Sequence, residues 1–190
     1  IWSMHFVGML AISLPIELGY SKALTFVSWG AAVAASGVGL SIAARGALSV
    51  SRLAGGACAM GLGICAMHYI GMLALEMEPG IEWNPMLVAA SIAIALVASA
   101  MSLLIFVRFR TEGGRHVPLY RIAAALVMGL AISGMHYTGM AAASFPEGSV
   151  CTNANSLNSD NLGMLVTIAA LAILTMALAT SVLDGRMQGR

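Results

Sequence analysis

The chain has 190 residues, 59% of them hydrophobic and 9% charged, with a net charge of +1 and a mean hydropathy of +0.90. A soluble domain carries about a quarter charged residues, so this composition excludes one and places the chain in a lipid bilayer. The small net charge gives no footprint for nucleic acid, because the arginines are explained by membrane topology.

In chain order, a short apolar stretch, 1–16, is followed by five charge-free stretches at 23–44, 53–75, 83–107, 122–146 and 161–183, each of at least 22 residues. About 20 helical residues cross a hydrocarbon core of about 30 Å. Only helices or closed barrels satisfy the backbone in lipid, and these stretches are too long for barrel strands. The expected fold is all-α, a polytopic transmembrane helix bundle, with residues 1–190 forming one domain.

Three of the stretches carry nearly the same hexapeptide. They are Met4-His5-Phe6-Val7-Gly8-Met9, Met67-His68-Tyr69-Ile70-Gly71-Met72 and Met135-His136-Tyr137-Thr138-Gly139-Met140. Stretches with the motif alternate with plain ones, which reads as three two-helix repeats. All copies run in one direction. Parallel repeats can surround an axis normal to the membrane and bring equivalent residues together at one depth. The second and third motifs follow long helical lead-ins, whereas Ile1-Trp2-Ser3 is only the tail of one, so the chain is read as truncated at its N-terminus, inside a helix.

Basic residues set the orientation. Arg45 and Arg52, then Arg108, Arg110, Arg115 and Arg121, then Arg186 and Arg190 fall on one side of alternating helices. Lys22 alone falls on the other, with Glu17, Glu76, Glu78, Glu82, Glu147 and Asp160. The arginine side is expected to be cytoplasmic, with the C-terminus there and the motifs toward the outer face of a bacterial inner membrane. Cys58, Cys65 and Cys151 form no disulfide framework, since their number is odd and Cys58 and Cys65 lie seven apart on one helix. The fourth histidine, His116, belongs to a basic loop and reads as solvated.

The motif has a clear physical capacity. Residues four apart share a helix face, so His5 points with Met9, His68 with Met72 and His136 with Met140. The glycine between them leaves room for another helix or a ligand. Counting the helical rise to the first outer acid puts each histidine about 12–18 Å below it. A buried ionisable group in a membrane needs a partner. A neutral imidazole solves this by placing one nitrogen on a metal and its N–H on a carbonyl or on Tyr69 or Tyr137. Imidazole with thioether favours copper, especially Cu(I); zinc accepts the histidines but has little use for methionine. Without a metal, the histidines bridge helices and the methionines fill gaps. Cys65, one turn before His68, reads as packing, because Trp2 and Ser133 take its place in the other repeats.

These motifs resemble the MHYT domain, a bacterial integral-membrane sensory domain, with Phe6 replacing tyrosine in the first copy. The resemblance covers essentially the whole chain. It implies a bundle of typically seven helices with its motifs near the outer face, a bound copper ion and a diatomic gas signal (O2, CO or NO). It also implies fusion to cyclic-di-GMP synthase and phosphodiesterase modules (GGDEF and EAL). Metal ligands carried over by the resemblance are His5, His68 and His136, with Met9, Met72 and Met140 as thioethers. No catalytic residues are expected in this chain, whose membrane span has no paired carboxylates and no nucleophile–base arrangement. The expected partners are the bilayer, a gas ligand, a cytoplasmic output domain on the same polypeptide and a second copy in a homodimer. The competing readings are a metal-ion transporter or channel and a bis-histidine haem protein.

Overall fold

A computed structural model of the chain describes residues 1–11, 17–44, 49–110, 117–152 and 157–188. Six helices dominate: α1 (Trp2–Leu10), α2 (Lys22–Ala44), α3 (Val50–Leu73), α4 (Pro85–Arg110), α5 (Val117–Ala141) and α6 (Ser159–Gln188). The expected helical bundle is therefore present. Within α2, α3, α4 and α6, segments at Lys22–Ile42, Val50–Leu73, Pro85–Phe106 and Ser159–Leu183 are long and apolar enough to cross a membrane. α5, with 25 residues, has comparable length. Leu40, Leu104, Phe106, Leu171 and Leu178 stand exposed on the outer surface, where lipid rather than water is the solvent that suits them. This is a multi-pass membrane protein.

The motif helices α1, α3 and α5 touch one another, and the plain helices lie outside them: α2 and α4 flank α3, α4 also packs on α5, and α6 packs on α1. Glycine sets the spacing within α3. A methyl group at Gly63 would meet the Ala35 Cβ of α2 at 2.7 Å, and one at Gly61 would meet the Leu96 Cα of α4 at 3.0 Å. Small residues let membrane helices approach this closely. Not every glycine of the motif helices does this: Gly129 and Gly134 have no neighbour within 4 Å among the described residues.

The stretch expected to be helical to residue 146 ends at Ala141, and the 53–75 stretch ends at Leu73. Beyond them the chain forms a small cap of three antiparallel two-stranded ladders. The strands are β1 (Gly19–Tyr20), β2 (Met77–Glu78), β3 (Glu82–Trp83), β4 (Ala143–Ser144), β5 (Val150–Cys151) and β6 (Leu157–Asn158). β1 pairs with β6, β2 with β5 and β3 with β4. The expected depth of the histidines changes accordingly. α1, α3 and α5 each end five residues past their histidine, a helical rise of about 7.5 Å; after α3 and α5 the remaining chain to Glu76 and Glu147 is cap, not helix.

Side chains and backbone stitch the cap to the bundle. Asn84 Oδ1 accepts from the Met86 and Leu87 N–H groups (3.0 and 3.3 Å) just ahead of the proline that opens α4, satisfying amides that a helix start leaves free. Asn158 Oδ1 does the same for Asn161 in α6. The Ser21 N–H donates to the Ala74 carbonyl (2.7 Å) and the Asn84 N–H to the Ala142 carbonyl (2.8 Å). In both cases the residue before a plain helix bonds to the residue just past the motif helix of the next repeat. The Cys151 thiol lies 2.9 Å from the Leu75 carbonyl and 3.2 Å from that of Gly19, pinning β5 to two neighbouring segments. Under the cap lies the main core, including Trp2, Phe6, Met9, Tyr20, Met67, Met72, Leu75, Leu162 and Val166.

Candidate metal centre

The equal placement of His5, His68 and His136, each five residues from its helix end, brings all three to one point on the bundle axis. All are buried, with at most 1% of any of them exposed. His5 Nδ1 lies 3.1 Å from His68 Nδ1 and 3.2 Å from His136 Nδ1. One ligand atom from each ring falls within 4.8 Å of the others. The rings are nearly perpendicular in pairs, with interplanar angles of 77°, 85° and 88° and centroids 4.8–5.2 Å apart.

Protons alone do not satisfy this triangle. A neutral imidazole Nδ1 carries either a hydrogen or one lone pair, so His5 Nδ1 cannot make two in-line hydrogen bonds to like atoms on both sides. Three bare Nδ1 lone pairs on one cation remove the conflict and leave every ring proton on Nε2. The spacing suits this. Nitrogens about 2.0 Å from a shared tetrahedral or trigonal ion stand about 3.3–3.5 Å apart, close to the observed separations. The residues present thus fit a small transition-metal ion.

The opposite edges of the rings run against expectation. His5 Nε2, His68 Nε2 and His136 Nε2 are buried without a hydrogen-bond partner among the described residues. Neither tyrosine serves them. Tyr69 Oη bonds to Ser91 Oγ at 2.6 Å, and Tyr137 is 61% exposed. The aromatic that follows each histidine instead packs edge-on against it: Phe6 on His5 at 4.8 Å, Tyr69 on His68 at 4.9 Å and Tyr137 on His136 at 5.2 Å. Stacking needs no hydroxyl, which is why Phe6 serves as well as tyrosine. Each Nε2 edge rests on a motif glycine: His5 on Gly71, His68 on Gly139 and His136 on Gly8.

Met9 and Met72 are fully buried and Met140 half-buried, in one apolar cluster with Phe6, Tyr20 and Leu75. Met67 and Met135, which precede the histidines, are buried as deeply. Cys65 sits with Ile64, Ala95 and Met135 in a second cluster, as the packing reading expects. His116 lies outside the described residues. Two buried groups close to the site have no motif to announce them. Trp2 Nε1 donates to Ser28 Oγ (3.0 Å). Tyr20, in cap strand β1, packs 6.0 Å from Phe6 with a hydroxyl that has no partner among the described residues; burial, reinforced by the nearby Cys151, pushes its phenol up to about 12, so it stays neutral.

Three successive repeats of the family described as the bacterial signalling protein N-terminal repeat, MHYT, match residues 1–56, 61–117 and 129–188. The chain belongs to the MHYT family. The three-repeat reading of the sequence agrees with these boundaries. The chain is 52% identical to the bifunctional diguanylate cyclase/cyclic di-GMP phosphodiesterase MucR of Pseudomonas aeruginosa, covering 100% of this chain and 28% of that protein. It is 37% identical to the signaling protein YkoW of Bacillus subtilis, over 97% of this chain and 23% of YkoW. It is also 37% identical to the cyclic di-GMP phosphodiesterase NbdA of Pseudomonas aeruginosa, over 91% of this chain and 22% of NbdA. The MHYT chain thus spans about a quarter of the length of these relatives. No solved structure matches it.

Proposed function

We propose that residues 1–190 form one membrane sensory domain that binds a metal ion through His5, His68 and His136. The observation that carries this reading is the convergence of the three Nδ1 atoms, 3.1–3.2 Å from His5 to each of its neighbours, inside a buried site. Copper is the metal proposed, with thioether from the Met9, Met72 and Met140 layer one turn toward the cap, because imidazole and thioether together suit it. A bound copper ion would supply an open site for a diatomic gas (O2, CO or NO). The protein's own part is to fix three rings at one depth, exclude water beneath the cap and keep their lone pairs turned inward. A bis-histidine haem fits less well, since a porphyrin plane must pass between its two axial rings and these rings converge with no gap between them.

The proposed location is the bacterial inner membrane, with the motifs outward and the C-terminus in the cytoplasm. The proposed output is a cyclic-di-GMP enzyme on the same polypeptide, as the names of MucR and NbdA suggest. The route runs through α1, which carries His5 and Gly8 and packs along α6, the helix leading to the C-terminus. Leu10 of α1 meets the Gly163 position of α6. A ligand shifts this packing only by its different affinity for two arrangements. The test has two arms. Protein purified without chelators should carry about one copper per chain, and the triple His5→Ala/His68→Ala/His136→Ala variant none. In membranes holding the whole natural protein, nucleotide turnover should respond to copper or gas in the wild type only. Equal metal content in both proteins would refute the site; equal turnover in a folded, inserted protein would reduce the domain to an anchor.

A further inference from the structure

The three glycine contacts form a closed cycle. His5 of the first repeat rests on Gly71 of the second, His68 of the second on Gly139 of the third, and His136 of the third on Gly8 of the first. A Cβ built at any of these glycines collides with the Nε2 atom of its histidine and comes within 2.8–2.9 Å of the ring Cδ2. The cap runs in the same sense, from Ser21 of repeat one to Ala74 of repeat two and from Asn84 of repeat two to Ala142 of repeat three. Two independent sets of contacts therefore give the repeats one handed order.

We propose that Gly8, Gly71 and Gly139 are positioning residues, each forming the seat for the histidine of the preceding repeat and turning that ring so that Nδ1, rather than Nε2, faces the common centre. Seating is steric. The glycine presents bare backbone to the ring edge, and any side chain there pushes the ring inward or rotates it, which moves the Nδ1 lone pair off the axis. Among the described residues the three Nε2 atoms have no hydrogen-bond partner, the counterpart of this arrangement: the rings are held by shape, not by a donor–acceptor pair. One consequence is mechanical. Shifting any motif helix moves its own histidine and also unseats that of the preceding repeat, so two of three rings are disturbed at once. The metal clause rests on the function proposed above; the seating does not.

The experiment is a set of double-mutant cycles read by thermal melting of the metal-free protein. Gly139→Ala should lower the apparent Tm by about 2–12 °C, the range for overpacking in a chain of this size. Gly134→Ala, one turn away with no neighbour within 4 Å among the described residues, should not lower it and should raise it by up to about 4 °C through alanine's better helix propensity. Measured in a His68→Ala background, the Gly139→Ala fall should vanish, because the ring it strikes is gone. In the His5→Ala and His136→Ala backgrounds more than half of it should persist. The pairs Gly71 with His5, and Gly8 with His136, should follow the same rule. Rescue that ignores the pairing, or none at all, overturns the cycle whether or not metal binds. Metal content of the same variants is read separately. With matched rescue, Gly139→Ala should bind copper at least about 10-fold more weakly than Gly134→Ala, and equal affinity would overturn the assignment of Nδ1 as the ligand atom. A wild type that takes up no metal, with matched rescue intact, would refute the proposed function and that ligand assignment while leaving the seating in place.

Discussion

Replacing His68 by alanine tests the site in a way that separates binding from folding. The ring is fully buried between His5, His136, Tyr69 and Gly139. Deleting a buried ring costs about 2–5 kcal/mol through the cavity it leaves. Part is returned, because one orphaned Nε2 disappears and such an atom costs about 1–3 kcal/mol. The net cost, about −1 to 4 kcal/mol, sets the metal-free melting point of the variant, against which its copper effect is read. Metal sharpens the contrast. At free copper 100 times the wild-type Kd, binding adds about 2.7 kcal/mol, which is about 5–11 °C for a chain of this length. Removing one of three nitrogens should weaken binding at least about 100-fold, since loss of groups that merely orient metal ligands already costs 10–100-fold. The same copper then adds only about 0.4 kcal/mol, or about 1 °C. His116→Ala should retain the full rise. The assay is a fluorescence melt in detergent with and without Cu(I), beside metal analysis. A copper-induced rise in His68→Ala equal to that of wild type would refute the reasoning.

The remaining predictions concern the frame around the site. Glu147→Cys, in a protein whose three native cysteines are replaced by serine, should react with a membrane-impermeant maleimide added outside intact cells; reaction only from the cytoplasmic side would reverse the proposed topology. Asn84→Ala should destabilise the protein by about 0.5–2 kcal/mol, visible as a lower Tm, because Oδ1 caps the Met86 and Leu87 amides; an unchanged melt would discount this cap. Gly61→Val should cost about 1–3 kcal/mol, because its Cβ meets the backbone of Leu96 and the backbone cannot rotate away. Gly129→Ala, with open space around it among the described residues, should melt no lower than the wild type and up to about 4 °C higher.

Several features were readable in the sequence because they repeat. Apolar length announces a membrane helix wherever it occurs, and a motif at two-helix spacing announces parallel repeats, from which the meeting of His5, His68 and His136 follows geometrically. Other features were not readable, because they depend on which atoms face each other. A histidine in sequence does not say which nitrogen turns inward, and the hydrogen bond expected from Tyr69 is diverted to Ser91 across a helix boundary. Helix ends were misplaced because charge-free sequence does not distinguish helix from cap: 142–146 carries no charge, yet Ala143–Ser144 is paired strand. The glycines show both limits together. Gly71 and Gly139 on the one hand and Gly129 and Gly134 on the other look alike as small residues on motif helices. Only the first pair lies under a histidine, and the difference is one of helix face. Position relative to the motif carries the information: the glycine three residues after each histidine meets a ring from the preceding repeat in all three copies, so the glycine belongs to the site as much as the histidine does.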